Sequence, residues 1–441
     1  MKPSLALRWS LAVLIFIGIL GWLISGSTIY ARLLYIAGIL LLASAIWAAL
    51  SMRGIRIGRE ARTVRASMGE VFEERFTVIN TRWPGCLWLE VVNRSPLPAV
   101  GGMTPSSRLL TGIGAHQKRF YTTRALLVRR GAFQLGPTEL SSGDIFGIFS
   151  THQLVPANQT LVVLPMTFQI PTFPPPPGIL PGGKTIRQKT TDVTPHAAGV
   201  REYVPGDPMK RIHWPSTAHR GRLMVKEFEQ DPQAEIWLLL DAQRDIHVLE
   251  SDLQADQVDE SWWLHRLKAS LPRDTFEYAV SATASLARYF LSERRAVGLA
   301  SAAGKLTVVS AERGDRQVGK ILETLAFLQP AGTLPIEGLV DLQARLLPLG
   351  SGVILVTPST RPELLLTVEA LQRRSLRPMI VSIKTETFGS SAAGEMVIKG
   401  LLARNVPVCS IAFGKDLGKQ LAFPAAYFNQ RSSSGSSYAR P

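Results

Sequence analysis

The stretch GVREYVPGDPMKRIHWPSTAHRGRLMVKE at residues 199–227, followed by EIWLLLD at 235–241, decides the fold of this chain. The first stretch combines turn formers, charged pairs, two histidines and a tryptophan, a density that an ordinary linker does not need. The second is an apolar run that ends in an acid, and such runs are typical of buried strands in parallel sheets. The two together predict a structured polar element that leads into a carboxy-terminal α/β domain.

Turn and cap chemistry explains much of the polar stretch. Pro205 and Gly206 fit the two central positions of a type II turn. Asp207 followed by a proline fits a helix N-cap with proline at the first helical position. We therefore expect a short helix that runs through residues 210–213, with Trp214 as its buried apolar anchor.

Strands and helices alternate after residue 234, which indicates a sheet covered by helices on both faces. The predicted strands are 235–240, 296–302, 306–310, 353–357, 379–384 and 406–413. The predicted helices are 275–292, 318–328, 336–347, 362–374 and 395–404.

Two apolar runs near the amino terminus, residues 9–24 and 33–50, are each close to the length that crosses a bilayer. The short loop that joins them carries Arg32 alone, whereas Lys2 and Arg8 precede the pair and five arginines follow it, so the positive-inside rule places both termini in the cytoplasm. We predict a multi-pass protein of the plasma membrane, with a cleaved signal peptide as the alternative for the first run.

The chain has 441 residues, 46% of them apolar, and a net charge of +15. Its length predicts several domains. The basic excess suits either nucleic acid or an anionic membrane leaflet, and beside two apolar spans we expect the lipid bilayer and no nucleic acid as the partner. The two cysteines, Cys86 and Cys409, fall in different predicted domains and indicate no disulfide framework.

The middle of the chain has short β-branched and aromatic runs broken by turn residues, a pattern that predicts an immunoglobulin-like β-sandwich. Within it, Phe146 and Phe149 are expected to fill the core. The predicted domains are a membrane hairpin at 1–52, the β-rich domain at 55–170, a proline-rich linker at 171–196, the polar signature at 197–230, the α/β domain at 234–428 and a disordered tail at 429–441.

The signature resembles that of the domain of unknown function 58 family, bacterial and archaeal proteins often encoded beside MoxR-type AAA+ ATPases. The likeness extends to the hairpin and to the RRG…GP…DIFGIF pattern at residues 129–149. It implies association with such an ATPase and implies no known reaction. The matching signature residues are Arg201, Glu202, Tyr203, Pro205, Gly206, Asp207, Arg211, Ile212 and Trp214.

The strand order, with its close second and third strands, is similar to the von Willebrand factor type A fold. That fold holds Mg²⁺ with an Asp-x-Ser-x-Ser loop, a threonine and a later aspartate. Here Asp241, Asp245 and Thr333 are the candidate ligands of a degenerate site, both serines are replaced, and Thr357 stands near the position of the last acid. We expect no cofactor, with Mg²⁺ at this site as the alternative.

The leading hypothesis is a non-enzymatic, membrane-anchored scaffold that works with a MoxR-type ATPase in the assembly or maturation of protein complexes. One alternative is a metal-dependent hydrolase that uses Asp207, His213 and His219, whose side chains suit acid–base chemistry. The other is a protein whose basic surface binds anionic polymers.

Overall fold

The computed structural model describes residues 5–83, 85–97, 99–100, 106–173, 197–204, 209, 212–228, 235–249, 271–390 and 394–422. Two compact units alternate along the sequence: the first holds residues 1–167, 249–284 and 319–329, and the second holds the remainder. The predicted tail and most of the predicted proline-rich linker lie outside the described residues.

The helices and strands follow one another in the order given by their numbers. The helices are α1 (Leu5–Ser25), α2 (Thr28–Ser51), α3 (Trp214–Arg220), α4 (Thr275–Ser292), α5 (Asp315–Phe327), α6 (Ile336–Gln343), α7 (Glu363–Arg373), α8 (Glu395–Ala403) and α9 (Leu417–Leu421). The strands of the first unit are β1 (Ile55–Ala61), β2 (Arg65–Ser67), β3 (Val71–Asn80), β4 (Cys86–Asn93), β5 (Ala99–Val100), β6 (Ser106–Ile113), β7 (Lys118–Leu127), β8 (Gly131–Leu135), β9 (Thr138–Gly143), β10 (Ser150–Val155) and β11 (Gln159–Leu164). Those of the second are β12 (Ala197–Glu202), β13 (Met224–Phe228), β14 (Ile236–Leu240), β15 (Val297–Ala303), β16 (Lys305–Glu312), β17 (Gly352–Thr357), β18 (Arg377–Ile383) and β19 (Val408–Ile411).

Near the amino terminus, two apolar helices, α1 and α2, contact each other. Among the described residues, α2 alone has the length and apolar character to cross a membrane, and the described apolar part of α1, Trp9–Ser25, is shorter. The structure therefore supports one membrane-length helix near the amino terminus, where the sequence predicted two spans.

The first unit contains three sheets, ordered β1-β3-β7-β5, β10-β9-β4-β6 and β2-β11-β8. One buried cluster joins the first two sheets, since it contains Val78 of β3 together with Leu89 of β4 and Leu140 of β9. The same cluster includes Met52, which directly follows α2. The apolar helix thus continues into the core of this β-rich domain without an intervening linker.

Core filling near the β9–β10 turn differs from the sequence prediction. Phe146 is half exposed and Phe149 is only partly buried, whereas Ile148 between them is buried. The prediction that both phenylalanines fill the core was wrong, because in a tight turn the backbone direction of each residue, and not its hydrophobicity, decides which side chain points inward.

Arg130 is buried in the first unit, where it joins the RRG turn to two helices. Its Nε donates to the carbonyl of Leu325 at 3.1 Å and its Nη2 donates to that of Leu328 at 2.7 Å. The guanidinium also pairs with Glu277 and lies 5.1 Å from the ring centroid of Phe276. It therefore caps the carboxyl end of α5, where carbonyls lack helical partners.

The second unit contains a six-stranded sheet ordered β16-β15-β14-β17-β18-β19. All its neighbouring strands are parallel except the β15–β16 hairpin, which turns at Gly304 with a φ of +82°. Every residue of β14 and β17 is buried, as the apolar runs predicted. The predicted strands and helices of this region all occur, with ends that shift by a few residues; α6, for example, ends at Gln343.

Candidate functional site

Asp241 lies at the carboxyl end of β14, in the middle of the sheet, and its side chain is buried. Its Oδ2 accepts a hydrogen bond from the hydroxyl of Thr357 at 2.6 Å, and its Oδ1 accepts one from the backbone N–H of Gln243 at 3.1 Å. Thr357 ends β17, the adjacent strand, so the sheet order itself brings the two side chains together. Both carboxylate oxygens are thus engaged within the protein.

Burial shifts the pKa values of Asp241 and His247, two titratable groups at the carboxyl end of β14, in opposite directions. Burial raises the pKa of Asp241 to about 6, against the opposing hydrogen bond from Thr357. Burial lowers the pKa of His247 to about 4, and its Nε2 lies 3.1 Å from the backbone carbonyl oxygen of Asp241. The neutral imidazole donates to that oxygen, so His247 supports the loop that carries the acid.

The loops beside Asp241 are joined by backbone contacts. Gln243 forms a parallel bridge with Gly332, and the N–H of Gly332 donates to the carbonyl of Ala242 at 3.0 Å. A β-carbon at Gly332 would collide with the carbonyl oxygen of Ala302. Only glycine fits here, and this close approach fixes the threonine loop against the loop after β14.

The side-chain oxygens of the three candidate ligands fit Mg²⁺ poorly. Asp245 and Thr333, the other two predicted ligands, are exposed, while Asp241 is buried and already accepts two hydrogen bonds. An ion would have to displace Thr357 or the backbone N–H of Gln243. Within the described part of the chain, no group of three or more His, Cys, Asp or Glu side chains is arranged to hold a metal.

The signature folds as an antiparallel pair, β12 and β13, with α3 between them in sequence. His213 caps α3: its Nδ1 lies 2.7 Å from the hydroxyl of Ser216, and the backbone N–H of Ser216 donates to that nitrogen at 3.3 Å. Gly221 ends the helix with a φ of +64°. The hydroxyl of Thr217 accepts from the N–H of Met224, which ties α3 to β13.

This arrangement corrects two predictions about the signature. The helix begins at Trp214 instead of passing through residues 210–213, because His213 takes the N-cap position. Trp214 is 65% exposed, so it is not the buried anchor. Ile212, Met224 and Val225 are buried in its place.

The remaining signature residues are placed as follows. Arg201 and Glu202 end β12, and the N–H of Tyr203 donates to the carbonyl of Leu223 at 2.8 Å. Glu202 forms an exposed ion pair with Arg222 at 3.5 Å. Pro205, Gly206, Asp207 and Arg211 lie outside the described residues. Of the hydrolase candidates, His213 is a helix cap and His219 is an exposed residue on the last turn of α3.

Three contributors to these sites had only weak sequence signals. Thr357 appeared in the sequence as a replaced acid, and its bond to Asp241 joins positions 116 residues apart. Met209 and Val204, which precede Trp214 by five and ten positions, are exposed, and their apolar type alone did not distinguish them from core residues.

The comparisons with known proteins give a family match for the signature and one curated relative. Residues 199–248 match the family described as protein of unknown function DUF58. The uncharacterized protein YeaD of Bacillus subtilis (strain 168) is 26% identical over 214 residues, which cover 48% of this chain and 46% of that protein. The match thus spans about half the length of this relative.

The solved structures described next share little sequence with this chain and have low TM-scores. The CARDB domain of a Pyrococcus furiosus protein, in complex with di-metal ions, is 10% identical and covers 26% of this chain and 93% of that chain, with a TM-score of 0.18. A β-glucosidase from Listeria innocua is 9% identical and covers 25% of this chain and 16% of that chain, with a TM-score of 0.14. Such scores carry no argument about the fold. The signature match and the similarity to this curated relative support a relationship to the DUF58 family, whose function is unknown.

Proposed function

We propose that this protein is a non-enzymatic, membrane-anchored adaptor that binds a protein partner, a MoxR-type AAA+ ATPase, on the cytoplasmic side. The observation that carries the proposal is the exposure of large apolar side chains within the family-defining segment. Trp214, Met209 and Val204 are each more than half exposed. Exposed apolar side chains grouped within polar surroundings are typical of protein-binding surfaces, and aromatic residues and methionine are enriched in them.

Membrane anchoring is supported by α2. Its 24 residues extend about 36 Å, enough to cross a hydrocarbon core of about 30 Å. The exposed arginines Arg53 and Arg56 directly follow it, which favours a cytoplasmic location for the folded units. In this proposal α1 returns beside α2 as the other arm of a membrane hairpin.

The α/β domain supports an adaptor of the von Willebrand factor type A kind. Its sheet has the first strand in the centre and an antiparallel strand at one edge. Asp241 stands where such a domain would place its first metal ligand, and the hydroxyl of Thr357 satisfies one of its oxygens. Partner binding in this protein would therefore not pass through a bridging cation.

The test is capture of the source organism's own MoxR-type ATPase by the full-length protein in mild detergent, with and without nucleotide. Trp214→Ala should weaken capture while leaving thermal stability unchanged. Leu349→Ala is the matched control, since Leu349 is an exposed apolar residue outside the signature. Equal capture by both variants and by the parent protein would count against the signature as the binding surface.

The hydrolase alternative makes a different prediction. If His213→Ala abolished turnover of a purified substrate without lowering thermal stability, the non-enzymatic proposal would be wrong. We expect the opposite result, a lower thermal stability, because His213 caps α3.

A further inference from the structure

Three strand connections lie at the end of the β-rich domain where α2 enters it, and we call this end the α2 end. β1 starts at Ile55, just after α2, and Ile55 pairs with Asn80, the last residue of β3. The β3–β4 connection is therefore at this end. So is the β6–β7 connection, because Cys86 at the start of β4 pairs with Ile113 at the end of β6.

The β9–β10 hairpin is the third of these connections, and it runs alongside α2. Val155, at the far end of β10, packs on the cluster that contains Met52 and Ile55. Nearer the turn, the hydroxyl of Thr151 donates to the carbonyl of Ala48 at 3.0 Å. The hairpin therefore advances from the base of α2 toward its apolar middle, and the turn lies beyond Thr151 in that direction.

The turn itself is rigid and presents apolar side chains outward. The buried carboxylate of Asp144 accepts from the backbone N–H groups of Phe146 at 3.0 Å and Phe149 at 2.7 Å. The indole N–H of Trp88 donates to the carbonyl of Asp144 at 3.3 Å. Ile145 is 70% exposed and Phe146 is 50% exposed. A fixed backbone thus holds two large apolar side chains away from the protein core.

The level of this turn matches the boundary of a bilayer. The apolar run of α2 ends at residue 50, only two residues after Ala48, so in the proposed anchoring Ala48 lies close to the boundary of the hydrocarbon core. A strand advances about 3.3 Å per residue, so the turn beyond Thr151 reaches the boundary between headgroups and acyl chains.

The β3–β4 connection adds the residue types of a membrane interface. Thr81 donates from its backbone N–H to the carbonyl of Gly54 at 2.8 Å, which holds this connection beside the base of α2. Trp83 next to it is 80% exposed, and Arg82 and Arg53 are exposed as well. Tryptophan favours the headgroup region, and arginine pairs with lipid phosphates.

We propose that the α2 end is a membrane-seated surface whose partner is the anionic lipid bilayer. Ile145 and Phe146 insert at the acyl boundary, and Trp83 lies among the headgroups. The inference rests on the proposed anchoring by α2 and adds a second, side-chain-mediated attachment. This attachment would fix the orientation of the β-rich domain on the membrane.

The test places an environment-sensitive fluorophore on full-length protein in nanodiscs of mixed anionic and zwitterionic lipid. Phe146→Cys carries the label, and Val64→Cys is the matched control, an exposed apolar site beyond the opposite end of β1. The native Cys86 and Cys409 are buried, which directs labelling to the introduced thiol. Nitroxide lipids and aqueous iodide serve as quenchers, and carbonate extraction reports anchoring by α2 independently.

The label at position 146 should show a blue-shifted emission, quenching by nitroxide lipids and loss of iodide quenching, while the label at position 64 should respond to iodide alone. If both labels respond to iodide alone in a protein that resists carbonate extraction, the membrane-seated surface is refuted and the anchor stands. If carbonate extracts the protein, the anchor is refuted, and this inference with it.

Discussion

Replacing Arg130 with alanine should destabilise the protein more than any surface substitution nearby. The guanidinium is buried, and it supplies hydrogen bonds to the carbonyls of Leu325 and Leu328 as well as a charge partner for Glu277. In the variant, the carbonyls at the end of α5 and the Glu277 carboxylate lose these contacts. Water does not readily replace them, because the site is enclosed.

The magnitude follows from these contacts. A hydrogen bond from a charged donor is worth about 1.5–3 kcal/mol, and removing one partner of a buried ion pair costs about 3–5 kcal/mol. These contributions cannot simply be added, because one guanidinium makes all of the contacts. We therefore expect Arg130→Ala to lower the free energy of unfolding by about 3–5 kcal/mol, the cost of removing one partner of a buried ion pair. For a unit of this size that corresponds to a drop in Tm on the order of 10 °C.

The assay is thermal and urea unfolding of the full-length protein in detergent, followed by far-UV circular dichroism. Arg129→Ala is the matched control, because Arg129 is the adjacent arginine and is exposed. It should change stability by less than about 0.5 kcal/mol. A double-mutant cycle with Glu277→Ala should show coupling between the two sites. Equal, small losses for Arg129→Ala and Arg130→Ala would refute the capping role assigned to Arg130.

The remaining predictions concern the second unit. Ile212→Ala should cost about 2–4 kcal/mol of stability because Ile212 is buried, whereas Trp214→Ala should cost almost nothing; urea midpoints compare them. Gly332→Ala should lower Tm, since a β-carbon there meets backbone. The raised pKa of Asp241 gives stability that is complete below pH 3.8 and is lost as pH rises through about 6. The lowered pKa of His247 gives stability that is present above pH 6.5 and is lost as pH falls through about 4. The two effects oppose each other. In Asp241→Asn only the effect of His247 remains, so the free energy of unfolding should fall by about 3 kcal/mol as the pH is lowered from 6.5 to about 4. A urea midpoint that stays constant over this pH range in the variant would contradict the prediction.

Local sequence patterns were sufficient to predict the strands of the α/β sheet. A short apolar run such as 236–240 is typical of a strand buried on both faces, and β14 occurs there. Gly304 between two short apolar runs predicted the close pair that forms the antiparallel hairpin. In each case the signal lies within about ten residues, so no knowledge of distant contacts was needed.

Side chains whose environment depends on distant segments could not be placed in this way. Tryptophan is usually well buried, and the exposure of Trp214 becomes visible only when β12, β13 and α3 are assembled. The bond between Asp241 and Thr357 requires that β14 and β17 be neighbours, although other strands separate them in sequence. The same holds for Arg130, whose acceptors lie nearly 200 residues further along the chain.

Charged and apolar side chains at the described motifs are used in opposite ways. Asp241, which was a candidate metal ligand, and Arg130, which lies in the RRG motif, are both buried and hydrogen-bonded within the protein. Trp214 and Phe146, which looked like core residues, are exposed. A binding surface needs apolar side chains held on a rigid frame, and these exposed side chains suit the proposed adaptor. Phe146 belongs to the unit that carries the membrane-length helix, and Trp214 belongs to the other unit, so the two proposed partners, lipid and protein, would each bind a different unit.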